Sequence, residues 1–190
     1  ALVQASAALS AGRSRRLAIP EGTELFIEIS RSPPTLVVVG GVHIAIPLVS
    51  MAKALGYRTV VVDPRRSFGS AERFPEVDQL LHSWPDRALT GLQMDDSTAV
   101  AVLTHDPKLD DPALIVALPS PAFYVGALGS HSTNAKRRER LLAGGLAAQQ
   151  LERLRAPIGL DLGGRFPGEI ALSVLAEIVA ALHQREGARV

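Results

Sequence analysis

Five short clusters carry the residue types that do chemistry. They are Gly40-Gly41-Val42-His43, Asp63-Pro64-Arg65, Thr104-His105-Asp106, Gly126 to Ser130 with Gly129 between them, and Gly159 to Gly164 with Asp161 and Gly163 inside. Glycine lets backbone amides come close to an anion, and a carboxylate such as Asp63, Asp106 or Asp161 accepts hydrogen bonds from hydroxyls or ring N–H groups. His43 and His105 carry imidazoles, which suit proton transfer or metal ligation, but their spacing matches no metal motif. Any one cluster is equally accounted for as strand-ending and helix-capping residues. All five follow apolar runs, however, and that repetition points to one shared crevice.

The apolar runs define the elements that must position these groups. Leu36 to Val39 is a continuous hydrophobic run of the kind buried on both faces of a parallel sheet. A helix from about His43 to Leu55, stopped by Gly56, and a strand Thr59 to Val62 complete a βαβ unit. Further strands are predicted at Gln79 to His82, Ala99 to Leu103, Phe123 to Val125 and Ile158 to Leu160. Helices are predicted near 86–93, 111–118, 131–142, 146–154 and 168–183. This alternation predicts an α/β fold, a Rossmann-like, doubly wound, mostly parallel sheet with helices on both faces, and its crevice lies at the carboxyl ends of the strands. Ahead of it, residues 1–34 read as an alanine-rich helix ending at Gly12 and a hairpin of Leu17 to Ile19 with Leu25 to Ile29, turning at Glu21-Gly22. The main domain is therefore 35–190.

Two loops can cradle an anion. In the first, Gly40 supplies the tight turn of a dinucleotide fingerprint, and Asp63 follows at about the 20-residue spacing of a ribose-binding carboxylate. Val42 stands where that fingerprint has its second glycine, and a β-branched side chain at positive φ would cost about 1–3 kcal/mol, which makes NAD(P) a poor ligand. In the second, Gly129 and Ser130 open a helix whose first turn presents amides and partial positive charge, with Ser130 as N-cap and Arg137 two turns on, directed either back to the anion or to solvent. Trp84, Met51 and Met94 read as packing residues. A nucleophile elbow, a Walker loop and an HExxH pair are absent from the sequence, so the residues assign no catalytic role.

The chain has 190 residues, 20 Lys and Arg against 19 Asp and Glu, and no cysteine. That excludes disulfides and thiolate metal sites, and no metal site is predicted. A formal net charge of +1 gives no field for nucleic acid, and the basic clusters Arg13, Arg15, Arg16 and Lys136, Arg137, Arg138, Arg140 read as solvated faces. The longest apolar stretches fall short of the roughly 20 residues of a membrane span, and no export leader is visible, so a soluble cytoplasmic protein is expected.

Three longer stretches carry a family resemblance: VAVLTHD from Val100 to Asp106, SPAFYVGALGS from Ser120 to Ser130 with Thr133 and Lys136-Arg137-Arg138 after it, and APIGLDLGGRFPGEIALSVLAEIVA from Ala156 to Ala180. With Glu72-Arg73-Phe74-Pro75, they make the chain resemble the C-terminal domain of the xanthine dehydrogenase accessory factors, the XdhC/CoxI family, from Leu36 to Leu182. The resemblance implies a chaperone that binds molybdenum cofactor, promotes its sulfuration and passes it to a xanthine dehydrogenase type enzyme. A cysteine desulfurase as second partner and a homodimer are implied in the same way. The molybdopterin phosphate would then meet the amides near Gly40 or Gly129 and Arg137, and its pterin edge Asp63, Asp106 or Asp161. Where the family usually has GAGHV, this chain has GGVHI, keeping Gly40 and His43. Phe166 to Glu169 replace a polar cap before the last helix, and the family's cysteine-containing N-terminal motif has no counterpart here. An NAD(P)-dependent oxidoreductase and a ligand-free dimerisation or docking module are the competing readings.

Overall fold

The computed structural model describes residues 14–19, 23–28 and 32–187. They fall into two compact units, one containing the hairpin and the other Pro33–Val179. The hairpin pairs β1 (Arg15–Ile19) with β2 (Thr23–Ile27) antiparallel. The helix expected in residues 1–11 and the Glu21-Gly22 turn lie outside the described residues.

The larger unit is built on six parallel strands: β3 (Thr35–Val39), β4 (Arg58–Val62), β5 (Gln79–Leu81), β6 (Thr98–Val102), β7 (Tyr124–Ala127) and β8 (Leu154–Arg155). Their order is β5-β4-β3-β6-β7-β8, the doubly wound arrangement in which the chain reverses direction between β3 and β6. The helices are α1 (Ala45–Ala54), α2 (Pro85–Gly91), α3 (Pro107–Ala117), α4 (His131–Ala143), α5 (Ala148–Leu151) and α6 (Pro167–Gly187).

The sheet forms because its strands are valine-rich and have no polar side to offer water. Val37, Val39, Val60, Val62, Val100 and Val102 pack with Leu89, Leu114 and Leu141 on one face. The alternate residues Leu36, Val38, Val61 and Ala101 point the other way and are fully buried too. Each large aliphatic side chain removed from water in this way contributes about 1.5–3 kcal/mol. No helix among the described residues is long and apolar enough to cross a membrane.

The expected strand at 158–160 lies four residues earlier, at Leu154–Arg155, where it pairs with Val125 and Gly126. Pro157 has no N–H to give to the ladder, and the contact resumes only with Ile158 N–H donating to Ala127 O (3.1 Å). The helix expected over 146–154 shrinks accordingly to Ala148–Leu151. α3 begins at Pro107 rather than 111, because Asp106 accepts the Lys108 N–H and Pro107 suits a first helical position. Trp84 is 49% exposed at the start of α2 and is not a core residue.

Candidate functional site

Parallel register aligns Val62, Val39, Val102 and Ala127 across the sheet. The next residues continue the ladder, with Gly40 N–H donating to Val62 O (2.9 Å), Leu103 N–H to Val39 O (2.9 Å) and Leu128 N–H to Val102 O (2.8 Å). The loops after β3, β4, β6 and β7 therefore emerge side by side along the carboxyl edge, around the reversal between β3 and β6. This is the crevice that the fold class offers to a ligand.

Gly40 takes φ 102°, and a Cβ there would collide with Thr104 Cγ2. A Cβ on Gly41 would run into the carbonyl of Phe68, so both glycines are required by contacts inside the protein. The segment after β4 thus folds back over the glycine loop. Arg73 holds it there, donating from Nη1 to Phe68 O at 3.0 Å. Val42 is half-buried, and its carbonyl receives the Ala45 N–H (3.0 Å) that starts the turn into α1, while His43 is exposed.

Asp63 is buried, and both of its oxygens are saturated. Oδ2 accepts from Gly41 N–H (2.8 Å) and Arg65 Nη2 (2.8 Å), and Oδ1 from Arg65 N–H (2.9 Å) and Arg65 Nε (2.9 Å). Burial pushes its carboxyl pKa up, but the bonds from Arg65 and Gly41 outweigh this and hold it below the ordinary carboxylate value. A ribose hydroxyl would have to displace one of these donors. The carboxylate at the ribose position is thus engaged inside the protein, and Gly41 beside it is covered by the Phe68 carbonyl.

Arg65 is reachable from solvent, with 37% of its side chain exposed. Its guanidinium lies 3.9 Å from the Phe68 ring centroid, a cation–π distance. The hydrogen bond to Asp63 chiefly raises its pKa, and the charges of Asp106 and Asp110 add to that, so its field reaches the loop after β6.

On the far side of the reversal, Thr104 Oγ1 donates to Asp110 Oδ1 and accepts from Asp106 N–H at 3.2 Å. Asp110 Oδ2 is ion-paired with Arg137 Nη2 at 2.7 Å, and both side chains are almost wholly buried. Arg137 Nη1 and Nη2 also donate to Leu128 O (3.0 Å each), and Nη1 to Asn134 Oδ1. Burial raises the Asp110 pKa, against the pull of Thr104 and Arg137. Arg137 therefore turns neither to an anion nor to solvent: it is the buried bolt between α3, α4 and the loop after β7. Of its neighbours, Arg138 also turns inward, its Nη1 donating to Leu151 O (3.1 Å), whereas Lys136 and Arg140 are exposed as expected, Arg140 paired with Asp111.

Ser130 caps α4, accepting the Thr133 N–H at 3.2 Å, and Asn134 Nδ2 donates to Gly129 O at 2.9 Å. No hydrogen bond within the described residues takes up the His131 and Ser132 amides of the same turn. Gly126 lies inside β7, against Ile158 and the Tyr124 hydroxyl, not in the loop. Gly159 (φ 94°) donates to Glu177 Oε2 at 2.8 Å, the oxygen that also accepts from Tyr124 Oη at 2.5 Å. Burial, followed by Glu177, pushes the Tyr124 phenol well above its ordinary value. Asp161 is exposed and accepts the Gly163 N–H at 3.2 Å.

The structure thus brings together Gly40, Gly41, Asp63, Arg65, Thr104, His105 and Asp106 at the centre, with Gly129 and Ser130 beside them. Of these, Arg65, His105, Asp106 and Ser130 have accessible side chains, Arg65 in part. Gly126 and Arg137 sit beneath the loops. Phe68, Asp110, Asn134 and Glu177 were not singled out from sequence, although the segment containing Arg73 was. Among the described residues, no group of three or more His, Asp or Glu is placed to hold a metal ion.

Fold and crevice together define a doubly wound, Rossmann-like domain in which the carboxylate after the second strand of the sheet is engaged internally. The family model for the XdhC Rossmann domain matches residues 36–178, and the chain belongs to that family. It is 32% identical over 157 residues to a Bacillus subtilis protein described as a probable subunit of xanthine dehydrogenase, covering 83% of this chain and 46% of that protein. It is 39% identical over 100 residues to the molybdenum cofactor insertion chaperone PaoD of Escherichia coli, covering 52% and 31%. A crystal structure described as a xanthine dehydrogenase from Bacillus halodurans superimposes with a TM-score of 0.71 at 26% identity, over 85% of this chain and 45% of that one. The chain spans less than half the length of these relatives.

Proposed function

We propose that this domain is a molybdenum cofactor carrier that assists sulfuration of the cofactor and its insertion into a xanthine dehydrogenase type enzyme. The observation that carries the reading is the accessible edge of the crevice. It joins a cation, Arg65, to an acceptor, Asp106, and lies beside the unpaired amides of α4, in a chain related to a cofactor insertion chaperone. Molybdopterin has a phosphate and a pterin edge rich in N–H donors, so the two halves of the crevice match the two ends of the ligand. When bound, the cofactor would supply the dithiolene-held metal. The chain's own residues would bind and orient it, with Arg65 on the phosphate and Asp106 or Asp161 on the pterin.

A carrier must release what it binds, and a crevice lined by exposed loops suits release better than a closed pocket. The molybdoenzyme that receives the cofactor, a cysteine desulfurase and a second copy of this chain are the proposed partners, in the cytoplasm. The test is to purify the chain without added ligand, denature it and analyse the supernatant by mass spectrometry. Molybdopterin or its oxidation products are expected. NAD(P) in their place would overturn the reading in favour of an oxidoreductase, and an empty pocket that also fails to take up added cofactor would favour a docking module.

A further inference from the structure

A guanidinium has two edges that can each hold an oxyanion by two parallel hydrogen bonds. In Arg65 the inner edge, Nε and Nη2, is spent on Asp63. One face of the guanidinium rests on Phe68, whose carbonyl is in turn held by Arg73. The outer edge, both Nη1 protons and the second Nη2 proton, has no hydrogen-bond partner among the described residues and is on the exposed part of the side chain. The carboxylate and the ring together fix a flexible cation whose remaining donors have nothing to bind. The ordering entropy of a free arginine side chain has thus already been lost before any ligand arrives.

We infer that Arg65 is the phosphate-binding residue of the crevice, presenting its outer guanidinium edge to a phosphate monoester or diester. Asp63, in the position where related folds bind ribose, is the positioning residue that aims it. Arg137 is excluded from this role by its burial, whereas Arg65 is part-exposed and is tied to the glycine loop through Asp63, which accepts from both Gly41 N–H and the Arg65 guanidinium. The identity of the phosphate-bearing ligand as a pterin rests on the function proposed above; the recognition of phosphate does not.

The experiment measures binding to the full chain for two pairs of probes. One pair is the fluorescent, air-oxidised pterin of molybdopterin with its phosphate and after phosphatase treatment, and the other is ADP and adenosine. Wild type is expected to prefer the phosphorylated member of each pair by about tenfold or more, the scale of one charge-assisted contact. Arg65→Gln should abolish the preference. Arg65→Lys, which keeps the charge beside Asp63 and so protects the fold, should lose most of it, because an ammonium has no second edge. Asp63→Asn should reduce the preference with Arg65 still present, an effect that loss of stability alone would not produce in protein that melts as a folded domain. An undiminished preference in Arg65→Gln, or equal binding of both members by wild type, overturns the inference while leaving the cofactor-carrier reading standing. Preference for ADP through Arg65 without pterin binding upholds the inference and overturns the pterin as its ligand. Failure of every probe to bind wild type overturns both.

Discussion

Arg65–Asp63 at the end of β4 and Arg137–Asp110 between α4 and α3 are the same chemical pair at nearly the same distance, 2.8 and 2.7 Å. Their surroundings differ in one respect. Arg137 is sealed by protein on all sides and its donors are directed at Asp110, Asn134 and the Leu128 carbonyl, with only Nε left unpaired. Arg65 is sealed on one edge and one face only, and its other edge meets solvent. The first pair can do nothing but hold the loop after β7 to two helices, whereas the second holds the glycine loop and still has donors to offer. An arginine with donors left for a ligand is marked in this fold by incomplete satisfaction; proximity to a glycine loop in sequence, which Arg137 shares, does not mark it.

The largest effect should come from breaking the buried pair. Arg137→Met leaves Asp110 in the interior without its counter-charge, with only the Thr104 hydroxyl still bonded to it, and should cost about 3–5 kcal/mol in urea unfolding. Adding Asp110→Leu should recover most of that loss, since an apolar replacement of both partners removes the stranded charge. A cost below about 1 kcal/mol for Arg137→Met would mean that the pair is not sealed, and the contrast with Arg65 would disappear.

Gly41→Ala should come next, at about 1–3 kcal/mol, because the new methyl meets the Phe68 backbone carbonyl and the whole covering segment must shift. The same variant should loosen Arg65, so protease cleavage within 65–74 is expected to accelerate; an unchanged digestion pattern would show that the segment is held independently of the glycine loop. Arg65→Gln should cost less, about 1–2 kcal/mol, because the Gly41 and Arg65 backbone N–H groups still bond Asp63. Calorimetric melting checks the order of these three variants.

The smallest effect is on pH dependence, and its sign separates the pairs. Asp63 has a folded-state pKa below its unfolded value, so its contribution is present above the ordinary 3.8 and is lost as pH falls through the lower folded value. Asp78, hydrogen-bonded by Lys53 and the Thr59 N–H and lowered to about 2, acts in the same direction. Asp110 is raised by burial, so its contribution is present at acid pH and is lost as pH rises through the folded value. Melting temperature should therefore fall below about pH 4 in wild type and fall less steeply in Asp63→Asn. An equal slope in the two proteins would show that the Asp63 proton is not linked to folding.

The amino-acid sequence by itself determined the sheet and the place of the crevice. Valine-rich runs at 36–39, 59–62 and 99–103, followed by Gly40, Asp63 and Thr104, read as buried parallel strands with loops at one edge. The family stretches around Thr104, Ser130 and Asp161 were legible in the same way, as local patterns. The strand at Leu154–Arg155 was not, because two residues ahead of a proline have no periodicity to show. Tertiary structure alone decided which charged groups remain available. Arg137 meets Asp110 only because α3 and α4 pack together, and Asp63 closes on Arg65 only because the chain after β4 turns back over Gly41. Hydrogen-bond saturation is a property of three-dimensional neighbours, and no spacing along the chain encodes which edge of an arginine is left open.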